Sequence, residues 1–222
     1  MNAKQYDIVI AGGGMIGTSL ALALAPLGLS IAVVEAVARK EPGQPSFDDR
    51  STALSRSTQR MFEAMGLWPD IVAASTPIRA IHVSDQGRFG FSHIDAAEQG
   101  VEALGHVVIN RVLGSVLQDA LSHIDGVDVI CPARIVGLEL GPDRATATVA
   151  DADGETRALS CDLVVASDGA NSAVREMMGI TAQKSDYGQR AVIGNLLPEK
   201  DIDFMAYELS LINISEPTRL QV

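Results

Sequence analysis

At 222 residues, the chain exceeds one average domain of roughly 150 residues and falls short of two. Apolar residues make up 47% and charged residues 20%, which excludes a disordered polyelectrolyte. A formal net charge of -11 with no basic run excludes a nucleic-acid partner, because such binding depends on clustered Lys and Arg displacing counterions from phosphates.

The residues Ile8 to Val34 carry no charge, yet Gly12, Gly13, Gly14, Gly17, Pro26 and Gly28 interrupt them, so the pattern is neither a membrane span nor a signal peptide. It predicts a strand over "YDIVIA" (Tyr6 to Ala11), a glycine turn, a helix over "MIGTSLALALAPLG" and a strand over Ser30 to Ala36. Both strands are apolar on both faces, as parallel strands covered by helices are. A polar loop, Arg39 to Arg50, follows, and then a predicted helix from about Thr52 to Met65 with Leu54, Met61 and Met65 on one face.

From about Pro77 the pattern changes to short strands, "IRAIHVSD" and "GRFGFSHI", joined through the turn residues Asp85-Gln86-Gly87. An amphipathic helix is predicted over Asn110 to Ile124, with Val112, Val116, Leu117 and Leu121 as its apolar stripe. Strands follow near Val127 to Ile130, Arg134 to Leu140, Ala145 to Ala150 and Thr156 to Leu159, and "CDLVVASDGANSAVREMMG" reads as strand, turn and short helix. Cys131 and Cys161 stand far apart without a Cys-x-x-Cys or neighbouring His; they are expected to be reduced and largely buried, as in a cytoplasmic protein.

Gly12-Gly13-Gly14-Met15-Ile16-Gly17 satisfies G-x-G-x-x-G between a strand and a helix. The first glycine permits the tight turn, the second lets a pyrophosphate approach the backbone, the third lets helix and strand pack closely, and the helix N-terminus offers free N–H groups. Glu35 ends the next strand, where a carboxylate hydrogen-bonds a ribose 2'-OH and repels a 2'-phosphate. These features predict an adenine dinucleotide, FAD or NAD. Asp168-Gly169 would lie at the carboxyl edge of the sheet, where open α/β sheets bind ligands; equally, Asp168 or Asn171 could simply cap the following helix. The four histidines show no metal-ligand spacing, and no G-x-S-x-G elbow is present.

Together "IVIAGGGMIG", "ASDGANSAVR" and Arg111 at the head of "NRVLGSVLQDAL" resemble the class A flavoprotein monooxygenases of the para-hydroxybenzoate hydroxylase group. More closely, "FDDRSTALS", "IHVSDQGRFGF", "EALGHVVINRVL" and "YGQRAVIGNL" resemble the UbiH branch of the ubiquinone-biosynthesis hydroxylases, over about Tyr6 to Glu208. The resemblance implies an α/β, Rossmann-like FAD-binding domain of the glutathione-reductase type, with part of a β-rich substrate domain. The FAD-binding domain would be discontinuous, 1–75 and 101–180, with 76–100 and 181–208 as the partial substrate domain. Gly12, Gly14 and Gly17 would cradle the FAD pyrophosphate and Glu35 the adenosine ribose. Arg50 and Arg111 would be further FAD contacts, and Asp168 and Gly169 the pair associated with FAD and with the NADH or NADPH that reduces it. The implied reaction is hydroxylation of a polyprenylated phenol by O2 through a flavin C4a-hydroperoxide; no catalytic residue and no metal is implied.

The resemblance further implies a cytoplasmic protein peripheral to the inner membrane or within a ubiquinone-biosynthesis complex. The family continues beyond this chain, and the tail after Glu208, "LSLINISEPTRLQV" over 209–222, resembles nothing in it. That tail is expected to be an artefact joined to a truncated and inactive amino-terminal fragment. Two alternatives stay open: another flavoprotein monooxygenase or reductase of the same group, and a non-catalytic dinucleotide-binding module.

Overall fold

A computed structural model describes residues 3–38, 49–87, 89–196, 198–211 and 218–221. Most of the polar loop expected over Arg39 to Arg50 lies outside them. The chain forms two compact units, Met1–Asp48 with Asn110–Gln183, and Asp49–Ile109 with Lys184–Val222.

The first unit is built on β1 (Lys4–Ala11), β2 (Ile31–Val34), β8 (Val127–Ile130), β9 (Ala133–Leu140), β10 (Ala145–Asp151) and β11 (Thr156–Ala166), in the sheet order β8-β2-β1-β11-β10-β9. The expected parallel pairing holds: β1 lies between β2 and β11, and β2 pairs with β8, all parallel. Val9, Ile10, Ile31, Ala32 and Val33 are fully buried, which is why these strands read as continuous apolar runs. Helix α1 (Met15–Leu24) yields to a 3-10 turn at Ala25–Leu27 containing Pro26, and Gly28 closes it in the left-handed conformation at φ 73°.

Three expectations for this unit need correction. Thr156 to Ala166 is one strand, because its first half pairs antiparallel with β10 while its second half runs parallel to β1. Helix α4 (Asn110–Leu121) buries Leu113, Leu117 and Leu121, a strict i, i+4 row, and leaves Val112 and Val116 half-buried. Cys161 is buried but Cys131 is exposed, since it sits in the turn between β8 and β9. The short helix α5 (Ala173–Met177) follows the Asp168-Gly169 turn as expected. Arg144 ties the strands laterally: its guanidinium donates to the Tyr6 carbonyl at 2.6 Å and the Ser160 hydroxyl at 3.0 Å, and pairs with Asp162 at 2.9 Å.

The second unit contains a three-stranded sheet, β3 (Ser51–Ser55), β7 (Gly105–Ile109) and β4 (Ser75–Ile78), with β7 central and both pairings antiparallel. The helix expected from Thr52 therefore starts later, as α2 (Arg56–Ala64), because residues 51–55 find a strand partner. The Ser55 hydroxyl caps α2 by accepting from Thr58 N–H at 3.3 Å. Phe62 is its buried residue, while Met61, expected inside, is exposed. A short α3 (Trp68–Val72) then precedes β4. The second sheet, in the order β13-β12-β5-β6, contains β5 (Ala80–Asp85), β6 (Phe91–Asp95), β12 (Met205–Leu211) and β13 (Thr218–Gln221). The Asp85-Gln86-Gly87 signal does mark a hairpin, with β5 and β6 antiparallel and His82 opposite His93. β12 joins β5 in parallel.

Within this unit the His106 ring meets Trp68 edge to face, with centroids 4.9 Å apart. Its Nδ1 is buried without a hydrogen-bond partner. Burial pushes the imidazole below its ordinary pKa of 6.5, against a smaller upward pull from Glu102.

Two measurements test these packings. A Cβ at Gly17 would overlap the Gly12 carbonyl oxygen and come within 2.6 Å of Ser167 Oγ. Gly17→Ala is therefore expected to cost about 1–3 kcal/mol in urea unfolding despite alanine's better helix propensity; an unchanged midpoint would refute the close approach. His106 favours the neutral state when folded, so the unfolded chain binds more protons just below pH 6.5. Its contribution is fully present above that pH and is lost as pH falls toward the lowered folded value. The wild-type chain should lose more stability than His106→Phe between pH 7.5 and pH 5.5, both on the order of one unit from the ordinary histidine value, and parallel losses would contradict this.

Candidate functional site

The first unit brings the two glycine-containing turns to one sheet edge. Parallel pairing runs from Lys4 opposite Leu159 to Ala11 opposite Ala166, and the ladder extends past both strand ends: Ser167 N–H and Oγ donate to the Ala11 carbonyl, each at 2.8 Å, and Ser167 Oγ also reaches the Gly12 carbonyl at 3.1 Å. Gly12 turns the chain at φ 97°, and a Cβ on it would stand 2.5 Å from the Ser167 carbonyl oxygen and 2.9 Å from Asp168 Cα. Only glycine meets both the conformational and the spatial demand.

The next turn is held just as closely. Gly13 N–H donates to Glu35 Oε2 at 2.6 Å, and Val37 N–H donates to Glu35 Oε1 at 2.8 Å. Glu35 is thus anchored at the end of β2, and each oxygen retains a lone pair for a further donor such as a ribose hydroxyl. Its backbone is clasped from the other side, since Glu35 N–H donates to Ile130 at 3.0 Å and Ala133 N–H donates to Glu35 at 2.7 Å. Gly14 is the N-cap of α1; it offers no side-chain cap, and the first turn holds no acidic residue. Glu35 takes the Gly13 N–H, but with no acidic side chain and no side-chain cap in the first turn of α1 the positive end of the helix is left open, the arrangement that receives a phosphate.

At the second turn the carboxylate does take part in holding the following helix, as one of the two sequence readings had it. Asp168 Oδ2 accepts from Val174 N–H at 3.2 Å, so one oxygen does support α5. The cap residue itself is Ser172, whose hydroxyl accepts from Arg175 N–H at 3.0 Å. Asp168 Oδ1 is buried and has no hydrogen-bond partner, and a buried carboxylate oxygen without a donor is costly. Gly169 adopts φ 84° with open space around its Cβ position, so it is glycine for conformation and not for room. Asp168 and Gly169 also border an open groove of about 660 Å³ with Leu163, Val174 and Met178.

Gly12, Gly14, Gly17, Glu35, Asp168 and Gly169 thus all lie in the first unit, at the glycine turn and first turn of α1, at the end of β2, or at the turn after β11. Arg111 is exposed in the first turn of α4 in the same unit. Arg50 directly precedes β3 in the second unit. Sequence reading missed Thr18, Ser167 and Gln118. Thr18 Oγ1 donates to the Gly13 carbonyl at 2.9 Å, and Gln118 Nε2 reaches the same oxygen at 2.8 Å from α4. The available signal was a polar residue directly after Leu117 on a helix whose inward face is leucine.

These residues fit a bound FAD. The glycine turn leaves backbone N–H groups for a pyrophosphate, Glu35 stands where a ribose needs an acceptor, and the unpartnered Asp168 Oδ1 supplies an acceptor that the protein itself leaves unused.

Comparison with known proteins agrees. The chain is 35% identical over 191 residues to ubiquinone hydroxylase UbiL of Rhodospirillum rubrum, covering 86% of this chain and 43% of that protein. It is 31% identical over 210 residues to 3-demethoxyubiquinol 3-hydroxylase of Escherichia coli, covering 90% and 51%. The chain spans about half the length of the curated relatives it matches. Among solved structures, p-nitrophenol 4-monooxygenase PnpA from Pseudomonas putida superposes with a TM-score of 0.67 at 22% identity, over 79% of this chain and 44% of that one. The flavin-dependent monooxygenase PieE, in complex with FAD and substrate, gives 0.66 at 20% identity, over 79% and 32%. At these identities the structural likeness establishes the α/β fold. The FAD binding domain family matches residues 5–214, and the chain belongs to that family.

Proposed function

We propose that the chain is the FAD-binding part, with the start of the substrate-binding part, of an NADH- or NADPH-dependent aromatic hydroxylase of ubiquinone biosynthesis. The observation that carries this reading is the convergence of the Gly12–Gly17 turn, Glu35 and the unpartnered Asp168 Oδ1 at one sheet edge, in a chain whose relatives include two ubiquinone-pathway hydroxylases. The FAD-binding region is 1–75 with 101–180 and the partial substrate region 76–100 with 181–208, so the second compact unit, Asp49–Ile109 with Lys184–Val222, carries parts of both. Gly12, Gly14 and Gly17 keep the turn open to the pyrophosphate, and Glu35 accepts from the adenosine ribose. Asp168 and Gly169 would be the pair associated with FAD and with the NADH or NADPH that reduces it, the unpartnered Oδ1 of Asp168 being the acceptor available there. Arg50, toward the flavin side, and Arg111 are assigned as FAD contacts on the family resemblance alone.

FAD, when bound, supplies the redox and oxygen-transfer chemistry that side chains lack. The residues described bind and orient it. The substrate class is a polyprenylated phenol, taken with O2, and a prenyl tail would be met at a membrane surface. The proposed contact is peripheral. No helix among the described residues is long and apolar enough to cross a membrane.

Glu35 gives this reading a direct test. In titrations of the purified chain, ADP is expected to bind at least about tenfold more tightly than 2'-phospho-ADP, because the carboxylate accepts from a hydroxyl and repels a phosphate. Glu35→Ala should weaken ADP by about tenfold or more, the worth of a hydrogen bond to a charged group. A chain that prefers the 2'-phosphate would contradict the assignment, and one that leaves FAD absorbance and fluorescence unchanged would favour a module without flavin. In cells, deleting the gene should cause a ubiquinone precursor one ring hydroxyl short to accumulate, as read by mass spectrometry; normal quinone content would refute the pathway assignment.

A further inference from the structure

The Gly13 carbonyl oxygen accepts two hydrogen bonds, from Thr18 Oγ1 at 2.9 Å and from Gln118 Nε2 at 2.8 Å. Gln118 Nε2 also lies 3.3 Å from Thr18 Oγ1, so the threonine hydroxyl accepts from the amide while donating to the carbonyl. Both lone pairs of the Gly13 oxygen are thereby occupied, and the Gly13 N–H is held by Glu35. The Gly13–Gly14 peptide is trans, since the cis bond among the described residues is Cys131–Pro132. In a planar trans peptide the C=O and the following N–H point in opposite directions. Holding the Gly13 carbonyl toward Thr18 and α4 therefore holds the Gly14 N–H the other way, at the half-buried N-cap of α1. Rotation of this peptide would replace that donor with the negative end of a carbonyl dipole.

Core packing does not account for Gln118. Leu117 and Leu121 are buried beside it on α4, and Gln118 itself is half-buried. An amide placed there loses hydration that a methionine or leucine would not need. What the amide adds is a donor that reaches a carbonyl 105 residues earlier in the chain.

We infer that Gln118 is a positioning residue of the dinucleotide site: it locks the Gly13–Gly14 peptide with its N–H directed at the pyrophosphate. This rests on the FAD reading above. Gln118 touches no phosphate itself; it acts through the backbone it orients.

The test compares ADP with adenosine on the full 222-residue chain, by displacement of FAD fluorescence changes. Adenosine shares the adenine and ribose but has no phosphate. Gln118→Met keeps the length and apolar packing and removes the donor. It should lower the ADP-to-adenosine affinity ratio about fivefold to tenfold, as expected for one lost hydrogen bond, with adenosine binding unchanged. Gln118→Glu, which sets an acceptor against the Gly13 carbonyl, should lower the ratio further. A loss of structural support alone would weaken both ligands together, and this result, or an unchanged ratio, overturns the inference. If circular dichroism shows that the methionine variant does not fold, Gln118→Leu and Thr18→Val are read for the same ratio. A wild-type chain that binds neither ADP nor FAD overturns the FAD reading and this inference with it, and is distinct from a wild-type chain that binds both beside a variant with an unaltered ratio.

Discussion

The parallel register of β1 on β11 is the constraint from which the site follows. Ala11 stands opposite Ala166, so the residues that leave the two strands, Gly12 and Ser167, meet at the sheet's carboxyl edge. A shift by one residue would turn the alternating side chains to opposite faces and remove Asp168 from the neighbourhood of Gly12. Ser167 secures this register beyond the last ladder pair by donating to both the Ala11 and Gly12 carbonyls. The absence of side chains at Gly12 and Gly17 is what allows such close approach.

Electrostatics at this edge are set by what is left unpaired. Backbone polar groups in a folded chain are almost all satisfied, and the glycine turn follows the rule for its Gly13 N–H and C=O, bound by Glu35, Thr18 and Gln118. The departures are the uncapped start of α1 and the buried Asp168 Oδ1. One offers positive potential and donors, and the other offers an acceptor. A ligand with phosphates at one point and hydroxyls at another satisfies both, which is the chemistry of a flavin dinucleotide. The short distance between helix and strand at Gly17 is the steric cost of placing that helix end directly over the strand.

Much of this was legible in the residues. An uncharged run from Ile8 to Val34, broken by glycines, allowed little other than strand, turn, helix, strand, because its apolar period and its breakers agree. The Asp168-Gly169 pair was ambiguous between a cap and a ligand contact; in the structure one carboxylate oxygen supports α5, the other is buried without a partner, and Ser172 takes the cap position. Thr52 to Ser55 read as helix because local propensity cannot anticipate β7, whose residues Val107 and Val108 supply the backbone partners from more than fifty positions away. Likewise the inward row of α4 shifted from Val112 and Val116 to Leu113, because the face that a helix buries is chosen by its neighbour and not by its own apolar content.

The sequence by itself determined the local chemistry: a dinucleotide turn with glycine wherever a side chain could not fit, a carboxylate one strand later, and a second turn ending in Asp-Gly. Each is encoded within a window of a few dozen residues, where backbone sterics and hydrophobic period act directly. Only the tertiary structure decided which distant groups complete that chemistry. The register that seats Ser167 on Gly12 and the reach of Gln118 to the Gly13 carbonyl arise between segments more than a hundred residues apart, and packing also leaves one oxygen of Asp168 without a donor. No local preference specifies such pairings; they are set when the sheet and helices pack and backbone groups take the partners that packing brings within reach.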